Sequence, residues 1–268
     1  DIYEDQDYVF LIDSSPGFVV PTDQASVNDL YSKIQSVELP TGQFAPDTEF
    51  SFSDIPAGVS VENDVFDGTD GDDVINSGSG DDVIYGRGGD DALNGGVGDD
   101  TIDGGPGDDD LYGGEGNDRI ITGGGNSHVE AGDGNDFIDA SGLDELNYAW
   151  IMPGQGSNQI IGSSDTWALR GWGIDISYAD VETSGGLIFD VGVSGTGTVS
   201  SRNEGVVQDT FSFASRFRGT VDNDTFQGSS NSEWEGWEGQ AGNDTIHGGG
   251  GFDELLYHQD WANGGGLG

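Results

Sequence analysis

From Gly68 to Asp139 the chain repeats every nine residues without an insertion, after an Asp67 that precedes the first unit. The units read GTDGDDVIN, SGSGDDVIY, GRGGDDALN, GGVGDDTID, GGPGDDDLY, GGEGNDRII, TGGGNSHVE and AGDGNDFID. The fourth position is glycine in all of them. The sixth is Asp73, Asp82, Asp91, Asp100, Asp109, Asp118, Ser127 and Asp136. The eighth is Ile75, Ile84, Leu93, Ile102, Leu111, Ile120, Val129 and Ile138. Compositional drift yields Gly/Asp richness but not three residue types held in phase, so an acidic solvated linker is excluded. A nine-residue unit with one aliphatic side chain has no core of its own. It can bury that side chain only against copies of itself, which specifies a stack.

The charge makes such a stack a problem. The 268 residues hold 51 Asp+Glu against 7 Lys+Arg, a formal −44, with 33% hydrophobic residues. That balance is typical of a disordered chain, and 49 glycines raise the entropy lost on ordering. Either the chain stays unfolded or something cationic neutralises it. The same figures exclude other classes. There is no cysteine, hence no disulfide, thiolate metal site or cysteine nucleophile. So few basic residues exclude nucleic acid as a partner. No apolar run approaches the roughly 20 residues of a transmembrane span.

The pattern G-G-x-G-x-D-x-U-x resembles the nonapeptide repeat of RTX (repeats-in-toxin) proteins, which binds calcium. The resemblance implies an all-β fold, a right-handed parallel β-roll in which two nonapeptides make one coil. The physical chemistry agrees. Glycine opens dihedrals that turn carbonyls inward, the sixth-position Asp adds an anionic oxygen, and calcium takes six to eight oxygens at roughly 2.3–2.6 Å. The expected ligands are Asp73, Asp82, Asp91, Asp100, Asp109, Asp118 and Asp136, with Gly71, Gly80, Gly89, Gly98, Gly107 and Gly116 in the turns. Each ion sits between repeat n and repeat n+2, so eight turns give about six ions. Residues 67–139 carry a formal −18, which six divalent ions bring to about −6. Ser127 breaks the pattern, and His128 beside it reads as an outward strand residue, since imidazole is a poor calcium ligand.

A second array follows: GTVDNDTFQ (219–227), a degenerate GSSNSEWEGWE (228–238), GQAGNDTIH (239–247) and GGGGFDELL (248–256). Asp224, Asp244 and Asp253 hold the sixth position, Glu233 is a substitute in the degenerate unit, and about two to four further ions are expected. His247 falls at an outward position. Both arrays end alike, in GLDELNY (142–148) before Trp150 and GFDELLY (251–257) before Trp261. This reads as a terminator whose aromatics cover the end of the roll. The domain reading is 1–66, a β-rich segment that caps the roll or ends an upstream domain; 67–141, the first roll; 142–218, intervening non-calcium β-structure; 219–257, the second roll; and 258–268, a flexible end cut from a longer chain. Ser26 to about Gln35 reads as a helix. Between the arrays, strand signals occur at 158–161, 165–169, 173–178, 186–191, 196–200 and 209–213. Residues 209–228 resemble the strand segment that re-enters a roll in RTX regions, although the family's Ile-Glu pair is absent at Ala214 and Ser215.

No catalytic signature is present. H-E-x-x-H, G-x-S-x-G and P-loop motifs are absent, and His128, His247 and His258 lack zinc-like spacing. The chain reads as non-catalytic, with calcium the only cofactor. All six tryptophans lie in the second half, and Trp234 and Trp237 beside carboxylates are candidate ligand-binding aromatics for a neutral sugar. The alternative is that tryptophans fill the core. The leading reading is a calcium-binding structural module of a large secreted bacterial RTX protein of adhesin or matrix type. The resemblance implies type I secretion and folding on calcium outside the cell. The alternatives are a calcium-dependent accessory or carbohydrate-binding domain of a secreted hydrolase or epimerase, and a self-associating filament or surface-layer component.

Overall fold

The computed structural model describes residues 2–5, 8–11, 63–144, 146–164, 173–203, 205–230 and 234–256. The chain divides into two units, Asp1–Thr48 and Glu49–Gly268. In the first, β1 (Ile2–Asp5) and β2 (Tyr8–Leu11) pair antiparallel, with Ile2 opposite Leu11. The helix expected from Ser26 lies outside the described residues, as do most of the 1–66 segment and the end from 258 onward.

The described residues of the second unit form a parallel β-solenoid of about ten turns. Nine strands form one sheet: β4 (Val74–Ser79), β6 (Ala92–Val97), β8 (Asp110–Glu115), β10 (Ser127–Asp133), β12 (Ala149–Met152), β14 (Ile174–Ser177), β18 (Ala214–Arg218), β20 (Trp234–Glu238) and β22 (Phe252–Leu255). The facing sheet runs β3 (Val65–Asp67), β5 (Val83–Tyr85), β7 (Thr101–Asp103), β9 (Arg119–Ile121), β11 (Phe137–Asp139) and β13 (Gln159–Ile161), then β17 (Gln208–Ser212), β16 (Gly197–Ser201), β15 (Leu187–Val191), β19 (Thr225–Gln227) and β21 (Thr245–His247). Successive repeats alternate between the sheets, so strands two repeats apart are neighbours.

Register follows the eighth position. In the first sheet Ile75, Leu93, Leu111, Val129, Ile151, Ile176, Phe217, Trp237 and Leu255 stand opposite one another in turn. In the second, Phe66, Ile84, Ile102, Ile120, Ile138, Ile160 and Phe211 do the same. Alternation along a strand sends these side chains inward and their neighbours to solvent, except at β22, the last described strand, where Leu255 is exposed. The core is thus two facing stacks, with Ile84, Leu93, Ile102, Leu111 and Ile120 fully buried. A one-residue slip would expose every aliphatic group.

The intervening segment continues the roll. β12, β13, β14, β17 and β18 occupy successive places in the same two sheets. The terminator reading of 142–150 is therefore corrected: β12 follows it as the next strand, and Trp150 faces solvent beside His128 instead of closing an end. Tyr257 and Trp261 lie outside the described residues. The real irregularity is antiparallel pairing of β15 with β16 and of β16 with β17. Here the interior changes from aliphatic to aromatic. Phe189 stacks on Phe226 at 4.4 Å between ring centroids, and Phe217 on Trp237 at 5.2 Å. Ala214 and Ser215, the position without the Ile-Glu pair, are buried at the start of β18, where the pairing with β14 shifts register.

Candidate metal sites

The turns stack as closely as the strands. At Gly96 and Gly98, the second and fourth positions of one repeat, φ is 104° and 140°. This left-handed region favours glycine. A Cβ on either would run into a carbonyl oxygen two repeats earlier, at Gly78 and Gly80 respectively. The fourth-position residues Gly80, Gly89, Gly98, Gly107 and Gly116 all have positive φ, and the second position does so even in the repeat where it is Arg87 (φ 77°). Gly71, in the first turn, is not among them.

The sixth-position carboxylates line the inner side of these turns. Asp82, Asp91, Asp100, Asp109, Asp118 and Asp136 are each 1–2% exposed. Their Oδ1 atoms form two ladders, one per side of the roll. Asp73 N–H donates to Asp91 Oδ1 at 2.8 Å, and Asp91 N–H to Asp109 Oδ1 at 3.0 Å. On the other side Asp82 N–H donates to Asp100 (2.7 Å), Asp100 to Asp118 (2.8 Å) and Asp118 to Asp136 (2.9 Å). One oxygen of each carboxylate is thereby used. The other, Oδ2, is buried without a hydrogen-bond partner at Asp82, Asp91, Asp100, Asp109, Asp118 and Asp136. Buried carboxylates in rows, each with a spare oxygen, require a proton or a cation. Burial pushes Asp91 and Asp100 up to about 7, with neighbouring carboxylates adding to the effect. The same causes push Asp109, Asp118 and Asp136 up to about 6.

These oxygens fit calcium, a hard cation that takes carboxylate and carbonyl oxygens together. Among the described residues no three acidic or histidine side chains are placed to hold one ion. Turn carbonyls, which the glycine dihedrals leave free to turn inward, are the other oxygens at hand. The sequence pattern described as RTX calcium-binding nonapeptide repeat (four copies) matches residues 61–93, 85–120, 112–143 and 238–255. RTX calcium-binding repeats therefore make up residues 61–143 and 238–255. No curated protein matches the chain.

The RTX turns also mark where the pattern changes. In the first array Asp73 differs from its successors, because Thr69 N–H (2.6 Å) and Oγ1 (3.1 Å) donate to its Oδ2. In the second array Thr220 N–H (2.7 Å) and its hydroxyl serve Asp224 in the same way. Each array thus opens on a Gly-Thr turn that satisfies its first carboxylate within the chain. Asp224 N–H continues the ladder to Asp244 Oδ1 at 2.9 Å, while Asp253 is exposed. At Ser127 the hydroxyl is buried without a partner, so this turn keeps a neutral oxygen in the carboxylate's place. His128 lies on the outer face between Tyr112 and Trp150, and His247 is exposed.

Several residues escaped sequence reasoning. Asp136 N–H donates to Asn158 Oδ1 (2.8 Å), and Asn158 N–H to Asp209 Oδ1 (2.7 Å). The Tyr178 hydroxyl donates to Asp209 Oδ2 at 2.6 Å, satisfying the oxygen that is spare in the arrays. A readable signal existed: PGQGSNQII (153–161) and EGVVQDTFS (204–212) are nonapeptides with Asn158 and Asp209 at the sixth position. The fifth position forms an exposed counter-ladder, with Asp90 N–H donating to Asp72 Oδ1 (2.8 Å) and Asp108 N–H to Asp90 Oδ1 (2.9 Å). The substitute acid of the degenerate unit is Glu235, 2% exposed and bonded to the Ser229 hydroxyl, directly opposite Asp253. Glu233 lies outside the described residues. Trp237 is 1% exposed, packed on Phe217 and Phe226, and so is core and not a ligand platform; Trp234 is half-buried on the outer face.

Proposed function

We propose that this chain is a calcium-binding structural module of a large secreted protein of adhesin or matrix type, and that it folds on calcium after export. The observation that supports this is the set of six buried carboxylates with an unpartnered oxygen, stacked two repeats apart. A metal-free roll at neutral pH must bury these groups with like charges beside them, which strongly opposes folding. Calcium removes that opposition, and its absence inside a cell keeps the chain extended. The first array holds about six ions and the second about two to four, Asp73, Asp224, Asp244 and Asp253 contributing at the ends. The bound ions play a structural part, and the roll displays the surfaces beside it. Far-UV circular dichroism tests this reading. Calcium should convert a largely unfolded spectrum to β-structure, and magnesium, which demands a small octahedral shell, should not. Full β-structure in excess chelator at neutral pH would overturn it.

A further inference from the structure

The outer face of the first sheet changes character where the roll leaves the first array. Over β12, β14 and β18 a groove of about 360 Å³ opens, lined by Tyr148, Trp150, Ile174, Asp175, Arg216 and Arg218 among others. The chain has only seven basic residues, and two of them stand here side by side on one strand face. Both are held in place. The Arg218 guanidinium lies 5.6 Å from the Trp150 ring centroid and its Nε is 3.0 Å from Glu238 Oε2. The Arg216 guanidinium lies 5.7 Å from the Trp234 ring. The closest approach of Arg216 to Asp175 is 3.9 Å, too long for a hydrogen bond, and Arg216 Nε and Asp175 Oδ1 are both without hydrogen-bond partners.

We infer that this groove binds a neutral saccharide. Arg216 Nη1 and Asp175 Oδ2, 3.9 Å apart on partly exposed side chains, set a donor beside an acceptor at the groove, and a hydroxyl donates and accepts at once. Tyr148 and Trp150, 44% and 37% exposed, supply aromatic surface for the C–H faces of a sugar ring. The volume falls in the range of small-ligand sites. Charge selects the neutral class: Arg216 and Arg218 are matched by Asp175 and Glu238, so the groove is formally uncharged. An acidic glycan would meet the field of a chain whose formal −44 stays strongly negative after about eight to ten divalent ions, and a cation has the acidic turns to go to. The sugar site is thus the Trp150–Arg216 groove and not the Trp234–Trp237 pair, whose Trp237 is buried in the core.

Isothermal titration of the full chain, folded in calcium, tests it with cellotetraose, maltotetraose and mannotetraose, and with tetragalacturonate as the charged comparison. At least one neutral tetrasaccharide should bind at millimolar concentration or below. Arg216→Gln and Tyr148→Ala should each weaken that binding roughly tenfold, with calcium-dependent circular dichroism unchanged. Failure of all three neutral sugars to bind would overturn the inference. So would preferential binding of tetragalacturonate, or unchanged affinity in both variants. Because the calcium response is read separately, loss of the sugar site and loss of the folding switch are distinguishable.

Discussion

Replacing Asp100 separates the two jobs of a sixth-position carboxylate. Its Oδ1 accepts Asp82 N–H at 2.7 Å, and its Oδ2 is the spare oxygen. Asp100→Asn keeps the acceptor and removes the charge and the anionic ligand. Asp100→Ala removes both and leaves Asp82 N–H buried without a partner, a further loss of about 1–3 kcal/mol. Calcium affinity is set largely by ligand charge. The asparagine variant should therefore need at least about tenfold more calcium to fold, or about 1.4 kcal/mol for the affected step. It should also lose about one or two ions by native mass spectrometry, those shared with Asp82 and Asp118. In chelator the sign reverses. Burial, with Asp118 and Asp82 nearby, holds Asp100 up at about 7, so deleting its charge should make the metal-free chain less averse to folding. Calcium titrations followed by circular dichroism read both effects. Identical ion counts and midpoints for wild type, Asn and Ala would refute the ligand role of the ladder.

Three further outcomes are expected. Gly98→Ala, at φ 140° and aimed at the Gly80 carbonyl, should destabilise the calcium-loaded roll by at least about 1 kcal/mol. Gly124→Ala, which meets nothing within 4 Å, should be neutral in the same urea melt. Tyr178→Phe removes the donor to Asp209 Oδ2 and should lower stability by about 1–3 kcal/mol without changing the calcium count; a changed count would mean that Asp209 is itself a calcium ligand. Folded-state values raised above the ordinary carboxylate range mean that the folded chain binds more protons than the unfolded one. In chelator, β-structure should thus increase as pH falls from about 7 toward the ordinary carboxylate range. In limiting calcium the same linkage applies, so on acidification over this window the midpoint calcium concentration for folding should fall while fewer ions are bound per folded chain; a pH-independent midpoint would contradict the assignment.

The arrays were legible because each constraint there is local and periodic. A turn that stacks on its copy requires glycine at fixed phases, a ladder requires Asp at the sixth position, and a shared core requires an aliphatic at the eighth. The middle of the roll obeys the same geometry but hides it. A four-residue insertion puts Asn158 22 residues after Asp136, and the β15–β16 hairpin puts Asp209 a further 51 residues on, so the period is lost while the ladder persists. Aromatics replace aliphatics there, and Tyr178 provides from outside the repeat what a cation provides within it. The tryptophan pair shows a different miss. Trp234 and Trp237 are an odd number of residues apart on one strand, which sends them to opposite faces. The groove at Trp150 has no sequence signature at all, because Tyr148, Asp175 and Arg216 meet only when β12, β14 and β18 pair.

Hydrogen exchange with residue-level mass spectrometry is the most direct test of the central claim, that calcium holds the carboxylate ladders together. The amides of Asp73, Asp82, Asp91, Asp100 and Asp118 donate to carboxylates two repeats on. In calcium these amides should be strongly protected, and in chelator at neutral pH they should exchange at the rate of an unfolded chain. Equal protection in both conditions would contradict the account.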